Sequence, residues 1–194
     1  MRIAIALFDG AEELDWAGPW EVLAAWASLW PDDGVEVFTV GESSEAVLCA
    51  KGLRVLPHVT WDEMQPVDVL VYPGGVGTRR ELEDPRVLER LRALHAGGAV
   101  LASVCTGALV LAAAGLLDGR PATTWWGMVD ALGELGDGIE VRPDDRFVDT
   151  GDIVTAAGVS AGIDMALHLV ARLHSVERAV EVRRYIQYDP QPPV

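Results

Sequence analysis

The 194-residue sequence has few basic residues, only two cysteines and no long apolar run. Fifteen lysines and arginines stand against 30 aspartates and glutamates, so the formal net charge is −15. A surface of this sign repels phosphate polyanions, and no cluster of lysines and arginines interrupts it. The charge balance therefore argues against nucleic acids and anionic membranes as partners.

The scarcity of cysteine excludes a disulfide framework and suits a reducing compartment, where a thiol either fills the core or takes part in chemistry. The N-terminal apolar run, residues 3–8, is too short for a signal sequence. The longest apolar run, residues 108–117, is far shorter than a membrane span. We therefore expect a soluble, cytoplasmic protein.

Short β-branched segments alternate with longer helical patterns without a repeat or linker, which favours a single domain over residues 1–194. The predicted strands are Arg2–Phe8, Glu36–Val40, Val67–Tyr72, Ala99–Val104 and Ile153–Ala156, with Leu53–Leu56 and Arg146–Asp149 as weaker candidates for a side ribbon. The predicted helices are Pro19–Trp30, Pro85–Ala96, Thr106–Ala114, Trp126–Leu135, Ser160–Leu173 and Val176–Gln187, with Pro19 and Pro85 in first turns and Gly97 and Gly115 as left-handed caps. This order predicts an α/β fold with a mainly parallel sheet covered on both faces. Ligands of such folds bind at the carboxyl ends of the strands.

The strongest chemical signal is Cys105, which follows the fourth predicted strand. Ser103 and Gly107, two residues before and two after it, are small, as in a nucleophile elbow between a strand and a helix. Because a helix N-terminus favours negative charge, we expect Cys105 to have a lowered pKa and to react as a thiolate. The amides of Thr106 and Gly75 are the expected oxyanion donors. A buried structural cysteine is the alternative.

The acidic segment after the first strand, residues 9–15, contains a second candidate. Most of its carboxylates fit an ordinary solvated loop, but Asp15 lies between Leu14 and Trp16. Partial desolvation there would raise the pKa of Asp15 and suit it to proton transfer near neutral pH. Trp16 and Trp125 are candidates to wall an apolar pocket, although core packing is the simpler explanation for either one.

Other candidate nucleophiles are weaker. Gly158-Val159-Ser160-Ala161-Gly162 matches the G-x-S-x-G elbow, but no acid and histidine follow it on later strand ends. We interpret Ser160 as a helix cap and the two glycines as close-packing positions. Cys49 lacks an elbow and is expected to pack in the core. None of the four histidines falls at a predicted carboxyl strand end, so the sequence offers a cysteine and an acid without a histidine partner.

Five stretches of the sequence together resemble the DJ-1/ThiJ/PfpI superfamily nearly end to end; they are Gly10–Asp15, Tyr72–Gly75, Ser103–Gly107, Gly119–Thr124 and Ala161–Asp164. Within the superfamily, Cys105-Thr106-Gly107, the Leu14-Asp15 acid and the closing residues 188–193 are most similar to the isocyanide hydratase branch. The resemblance implies a flavodoxin-like three-layer sandwich related to class I glutamine amidotransferases. It also implies a homodimer that needs no metal and no cofactor.

For this sequence the resemblance implies Cys105 as the nucleophile and Asp15 as the acid beside it. It implies oxyanion donors at the Gly75 and Thr106 amides, with the Thr106 hydroxyl lining the site. Isocyanide hydratases attack the terminal carbon of R–N≡C with a thiolate and release an N-formamide through a thioimidate. A small, uncharged organic isocyanide is therefore the expected substrate.

The sequence departs from the superfamily at two positions where histidine is common. Thr106 follows the nucleophile where PfpI-type proteases have histidine, and Trp125 follows the Ala-Thr-Thr stretch where many relatives have histidine. Both departures argue against protease and amidotransferase activity. Two alternatives to the hydratase stay open. One is a redox sensor whose Cys105 is oxidised to a sulfinic acid without turnover, and the other is a glyoxalase or deglycase acting on dicarbonyls.

Overall fold

A seven-stranded sheet runs through the computed structural model, which describes residues 1–190. The strands are β1 (Arg2–Ala6), β2 (Glu36–Gly41), β3 (Val47–Leu48), β4 (Arg54–Val55), β5 (Val59–Thr60), β6 (Val69–Tyr72), β7 (Val100–Val104), β8 (Pro121–Ala122), β9 (Glu140–Val141), β10 (Phe147–Asp149) and β11 (Ile153–Ala156). The large sheet has the order β10-β11-β7-β6-β1-β2-β5, while β3 pairs with β4 and β8 with β9. Within the large sheet all neighbours are parallel except β10 and β11.

Helices cover both faces of this sheet. They are α1 (Glu13–Leu29), α2 (Thr78–Glu81), α3 (Pro85–Ala96), α4 (Gly107–Ala113), α5 (Val129–Leu135), α6 (Ala161–Leu173) and α7 (Val176–Tyr185), with 3₁₀ turns at Pro31–Asp33 and Trp126–Met128. Helices α1, α6 and α7 pack on one another, and α4 contacts α2, α3 and α5. The predicted three-layer α/β sandwich with a mainly parallel sheet is confirmed.

The central strands are apolar at successive positions because helices cover them on both sides. Every residue of β6 and β11 is buried, as are all but the first residues of β1 and β7. All five predicted strands are present, with ends shifted by at most two residues. Within residues 1–190, no helix has the length and apolar character that crossing a membrane requires.

Helix α1 begins at Glu13 rather than at Pro19, so the predicted start is wrong. Pro19 lies inside the helix and cannot donate the usual backbone hydrogen bond. Close packing against α6 accompanies this irregularity, since a Cβ at Gly162 would lie 3.2 Å from Pro19 Cγ. The longer helix places Asp15 in its first turn.

The remaining differences from the predictions are local. Gly98, with φ 91°, takes the left-handed position after α3 in place of Gly97, whereas Gly115, with φ 72°, does so after α4 as predicted. Strand β4 belongs to a side ribbon, as predicted, but β10 joins the edge of the large sheet. Of the closing stretch 188–193, residues 191–193 lie outside the described residues.

Candidate active site

Cys105 lies at the sharp turn from β7 into α4. Its φ of 56° is a left-handed conformation that is uncommon for residues other than glycine. The Cys105 amide donates to the Ala156 carbonyl oxygen at 3.1 Å, and the buried Thr124 hydroxyl donates to the Cys105 carbonyl oxygen at 2.8 Å. Gly107 is small for a steric reason, because a Cβ there would lie 2.4 Å from the Tyr72 carbonyl oxygen. The turn therefore has the strained geometry of an elbow, and Cys105 is only 7% exposed.

Asp15 is completely buried in the first turn of α1. Its Oδ2 accepts a hydrogen bond from the Gly74 amide at 2.9 Å, whereas Oδ1 has no hydrogen-bond partner among the described residues. Burial raises the pKa of Asp15 to about 7, although the Gly74 amide and the Cys105 thiol both act to lower it. The predicted desolvation of Asp15 is therefore confirmed, with Trp16 buried beside it and Leu14 38% exposed. At neutral pH Asp15 is poised between its protonated and ionised forms.

The prediction of a lowered pKa at Cys105 is wrong. Burial, followed by the charge of Asp15, raises the pKa of the thiol to about 12. The amides of Thr106 and Val159 and the Thr106 hydroxyl act in the opposite direction without overcoming burial. A sulfur withdrawn from water and facing an acid gains too little from the N-terminus of a seven-residue helix. The resting thiol is neutral, so its proton has to leave when the sulfur attacks.

The hydroxyl of Thr106 is held by the segment that follows β6. The Gly75 amide donates to Thr106 Oγ1 at 2.9 Å, and the Thr78 hydroxyl lies 3.1 Å from the same atom. Gly75 has φ 120°, and a Cβ there would lie 2.3 Å from the Gly10 carbonyl oxygen, so only glycine fits. The Gly75 amide is thus occupied by Thr106 and is not free as an oxyanion donor, contrary to the expectation. Thr106 presents its own amide and hydroxyl to the Cys105 sulfur.

Val159 is a functional candidate that the sequence pattern did not reveal. It lies at the turn from β11 into α6, lines the same cavity as Cys105, and directs its amide at the sulfur. Its φ of 47° is strained for a β-branched residue. The G-x-S-x-G motif could have identified this turn, but it indicates Ser160 rather than Val159 as the functional residue.

Ser160 is exposed and does not cap α6, so that interpretation is wrong. It occupies the N-cap position, but its Oγ accepts from Arg146 Nη2 at 3.3 Å instead of from the first turn of the helix. The interpretation of the glycines is confirmed. A Cβ at Gly158 would lie 2.4 Å from Trp125 Cδ1, and Gly162 packs closely on α1.

A cavity of about 370 Å³ opens above Cys105. Its apolar wall consists of Val76, Leu82, Leu109, Trp125, Met128 and Val159, and the charged side chains at its mouth are Glu12, Lys51 and Arg79. Of the two tryptophans proposed as walls, Trp125 lines the cavity, whereas Trp16 packs in the core and does not. The volume and lining suit an organic molecule with an apolar body.

The histidines lie away from this cavity. His58 accepts from the Thr39 amide, and the others face carboxylates in the pairs His95–Asp152, His168–Asp149 and His174–Asp33. Cys49 packs in the core, as predicted, and burial raises its pKa. Among residues 1–190, no group of three histidine, cysteine, aspartate or glutamate side chains is arranged to hold a metal ion. The cavity thus offers one thiol and a set of hydrogen-bond donors, with the buried carboxyl of Asp15 beside the sulfur.

Comparisons with known proteins point to one family. The model of the DJ-1/PfpI family matches residues 1–172. The chain is 40% identical over 193 residues to an isonitrile hydratase of Pseudomonas putida, covering 100% of this chain and 81% of that protein. It is 30% identical over 147 residues to the glutathione-independent glyoxalase DJR-1.2 of Caenorhabditis elegans, covering 75% and 77%. A ThiJ/PfpI family crystal structure from Pseudomonas syringae superposes with a TM-score of 0.89 at 32% identity, covering 100% of this chain and 77% of that one.

Proposed function

The chain belongs to the DJ-1/PfpI family, and on this basis we propose that it is a cysteine-dependent hydratase that adds water to an organic isocyanide and releases an N-formamide. The observation that carries the proposal is the pairing of Cys105 with buried Asp15 beside an apolar cavity that none of the four histidines lines. This pair supplies a nucleophile and one proton carrier, which are the groups that hydration of R–N≡C requires. The similarity to an isonitrile hydratase supports the same reaction.

In the first step, the sulfur of Cys105 attacks the terminal carbon of the isocyanide. The ionised form of Asp15 accepts the thiol proton as the S–C bond forms, and it then delivers this proton to the same carbon. The product is the thioimidate R–N=CH–S–Cys105. A pKa of about 7 suits Asp15 to both directions of transfer at neutral pH.

In the second step, Asp15 acts on water. The carboxylate takes one proton from a water molecule as its oxygen attacks the thioimidate carbon, and passes this proton to nitrogen to give R–NH–CH(OH)–S–Cys105. Cleavage of the C–S bond releases R–NH–CHO, and the hydroxyl proton returns to the sulfur through Asp15. The amides of Thr106 and Val159 and the Thr106 hydroxyl stabilise the departing thiolate. One water is consumed and the thiol is restored.

Formation of the formamide from 4-nitrophenyl isocyanide, followed by chromatography, tests this proposal. We expect turnover by the wild type and by the control variant Cys49→Ala, because Cys49 packs in the core away from the cavity. Cys105→Ala removes the nucleophile and should leave no turnover. Asp15→Asn keeps an acceptor for the Gly74 amide but cannot carry a proton, so kcat should fall by about 10²–10⁴-fold. Equal turnover by the wild type and Cys105→Ala would contradict the proposal.

Redox sensing without turnover is the first alternative. Peroxide oxidises thiolates, and the raised pKa of Cys105 keeps this thiol protonated, which counts against a sensor. Rapid conversion of Cys105 to a sulfinic acid under mild peroxide, seen by intact mass in a protein that turns over no isocyanide, would favour the sensor instead.

Glyoxalase activity is the second alternative, and the similarity to a glyoxalase supports it. The histidine-free lining of the cavity counts against it, because Trp125 stands where many members of the superfamily have histidine. Lactate formation from methylglyoxal, in the absence of isocyanide turnover, would favour the glyoxalase.

We also propose that residues 1–194 form one domain, that two copies assemble as a homodimer, and that the protein works in the cytoplasm. Membership of the family supports the dimer, and the scarcity of cysteine supports a reducing compartment. Light scattering of the pure protein should give twice the chain mass, and a monomer at all concentrations would contradict the dimer.

A further inference from the structure

Among the charged side chains that line the cavity, one has no acid within ion-pair distance. Lys51 Nζ forms an ion pair with Glu12 and lies 3.8 Å from a carboxylate oxygen of Glu13. Arg79, by contrast, is exposed and makes neither an ion pair nor a side-chain hydrogen bond with any residue in 1–190. The lining of the cavity therefore presents one guanidinium without a partner in a chain of net charge −15.

Arg79 differs in this respect from the arginines near it. Arg80 donates to the Asp9 carbonyl oxygen at 2.7 Å, and Arg90 pairs with Glu42 at 3.1 Å. With twice as many acidic as basic residues, the sequence has ample carboxylates to pair with its arginines. An arginine left without a partner at the entrance to a nucleophile is therefore available to a ligand.

Two other arginines of the described chain, Arg54 and Arg184, also lack ion pairs and side-chain hydrogen bonds. Neither of them lines the cavity above Cys105. All three arginines carry the same charge, and Arg79 differs from the other two only in lining this cavity. Arg54 is exposed as well, which makes it a matched control for the loss of one positive charge.

The wall between the rim and the sulfur determines the shape of the occupant. Leu82, Leu109 and Met128 line this space together with Trp125, while the thiol lies buried and the guanidinium of Arg79 is exposed. A molecule that reaches the sulfur must therefore place an apolar body against these side chains. Arg79 lines the same cavity, and its planar guanidinium is suited to bidentate binding of a carboxylate.

Building on the proposed function, we propose that the substrate is an isocyanide with an apolar or aromatic body and a carboxylate at the opposite end, which Arg79 binds. This refines the expectation of an uncharged substrate. The apolar wall accounts for the body, and the unpaired guanidinium of Arg79 accounts for the anionic end. Since the overall charge of the protein repels anions, Arg79 has to supply the local attraction. Its contribution should be to KM, because the carboxylate is remote from the reacting carbon.

Two substrates of the same shape test this assignment, namely 4-isocyanobenzoate and 4-isocyanobenzamide. For the wild type we expect kcat/KM to favour the carboxylate by about tenfold, as one charge-assisted pair supports. Arg79→Gln should remove this preference by raising KM for the carboxylate. The kcat/KM of this variant for the amide should stay within about twofold of the wild-type value. The control Arg54→Gln makes the same change in net charge and should keep the preference.

The outcomes separate this assignment from the hydratase proposal. If Arg79→Gln changes both substrates equally, or if Arg54→Gln has the same effect, Arg79 does not bind the carboxylate. If no isocyanide is turned over, the hydratase proposal fails. Calorimetric dissociation constants for 4-formamidobenzoate and 4-formamidobenzamide then decide whether Arg79 binds a carboxylate. Tighter binding of the carboxylate that is lost in Arg79→Gln supports the anion site. If the wild type binds the carboxylate and the amide equally tightly, or if Arg79→Gln keeps the preference for the carboxylate, the anion site is overturned.

Discussion

Two neighbouring strand-to-helix turns of this protein hold a residue with positive φ, Cys105 after β7 and Val159 after β11. The strands are parallel partners, and the Cys105 amide donates across to the end of β11. At the first turn the strained residue carries the thiol that we propose as the nucleophile. At the second, the strained residue is Val159, and Ser160 one position later is exposed and bonded to Arg146. A G-x-S-x-G motif with correct spacing is thus insufficient to identify a nucleophile. The residue that adopts the left-handed conformation decides which group faces the cavity.

The two turns also differ in the acid beside them. Cys105 faces Asp15, which is completely buried and has no cationic partner within 4 Å among the described residues. The turn at Ser160 lies next to Asp164, whose carboxylate pairs with Arg146 at 2.9 Å near the surface. Asp164 thus has an arginine partner near the surface, whereas Asp15 is buried beside the thiol without one.

The strongest test of this comparison exchanges the nucleophile between the turns. The double variant Cys105→Ala with Ser160→Cys should be as inactive as Cys105→Ala, a loss of at least about 10³-fold, because the thiol then lies outside the cavity. Ser160→Ala alone should stay within about twofold of the wild type. Rates of formamide formation measure both. Recovery of activity in the double variant would show that the two turns are equivalent.

A second test sharpens the comparison through the glycines beside each turn. A Cβ at Gly107 would meet the Tyr72 carbonyl oxygen, which is backbone, whereas one at Gly158 would meet the Trp125 indole, which can move. We expect Gly107→Ala to lower the free energy of unfolding by about 3 kcal/mol and Gly158→Ala by about 1 kcal/mol. Gly158→Ala should instead alter KM as Trp125 shifts. Urea unfolding gives the free energies, and equal losses in the two variants would contradict the distinction.

The third test concerns the acid beside the first turn. The folded-state pKa of Asp15, about 7, lies above its ordinary value of 3.8, so the folded state binds this proton more tightly than the unfolded state. This stabilising contribution is complete below pH 4 and is lost as the pH rises through 7. Asp15→Asn does not titrate, so its advantage over the wild type should grow from near zero at pH 4 to about 4 kcal/mol at pH 8. Unfolding at both pH values measures it, and a constant difference would contradict the raised pKa.

Local pattern predicted the strands, most helices and the turn at Cys105 because these depend on hydrophobic periodicity and small residues near one position. It also predicted that desolvation raises the pKa of Asp15, which the complete burial of this side chain confirms. The hydrogen bond from Gly74, a residue far away in the sequence, acts in the opposite direction and could not be predicted from the local pattern. The start of α1 was mistaken because Pro19 fits a first turn, and only packing against α6 explains its place inside the helix.

The rest of the site depends on contacts between distant segments and could not be read from spacing. The raised pKa of Cys105 requires both its burial and the proximity of Asp15. The Gly75 amide donates to Thr106, and the Val159 amide points at the Cys105 sulfur. Both are backbone groups, so the type of side chain at these positions does not predict their contacts. The ion pairs of Lys51 with Glu12 and Glu13, which leave Arg79 without an acid, likewise depend on segments that are distant in the sequence.

The distribution of the site along the chain has a consequence for synthesis. Asp15 emerges from the ribosome early, Cys105 much later, and Val159 only with the turn after β11, whose strand pairs with β7. A nascent chain that stops before this turn exposes a cysteine without its full set of donors. On the proposed function, turnover should begin only when nearly the whole fold is complete, so that activity during refolding reports the final assembly of the protein.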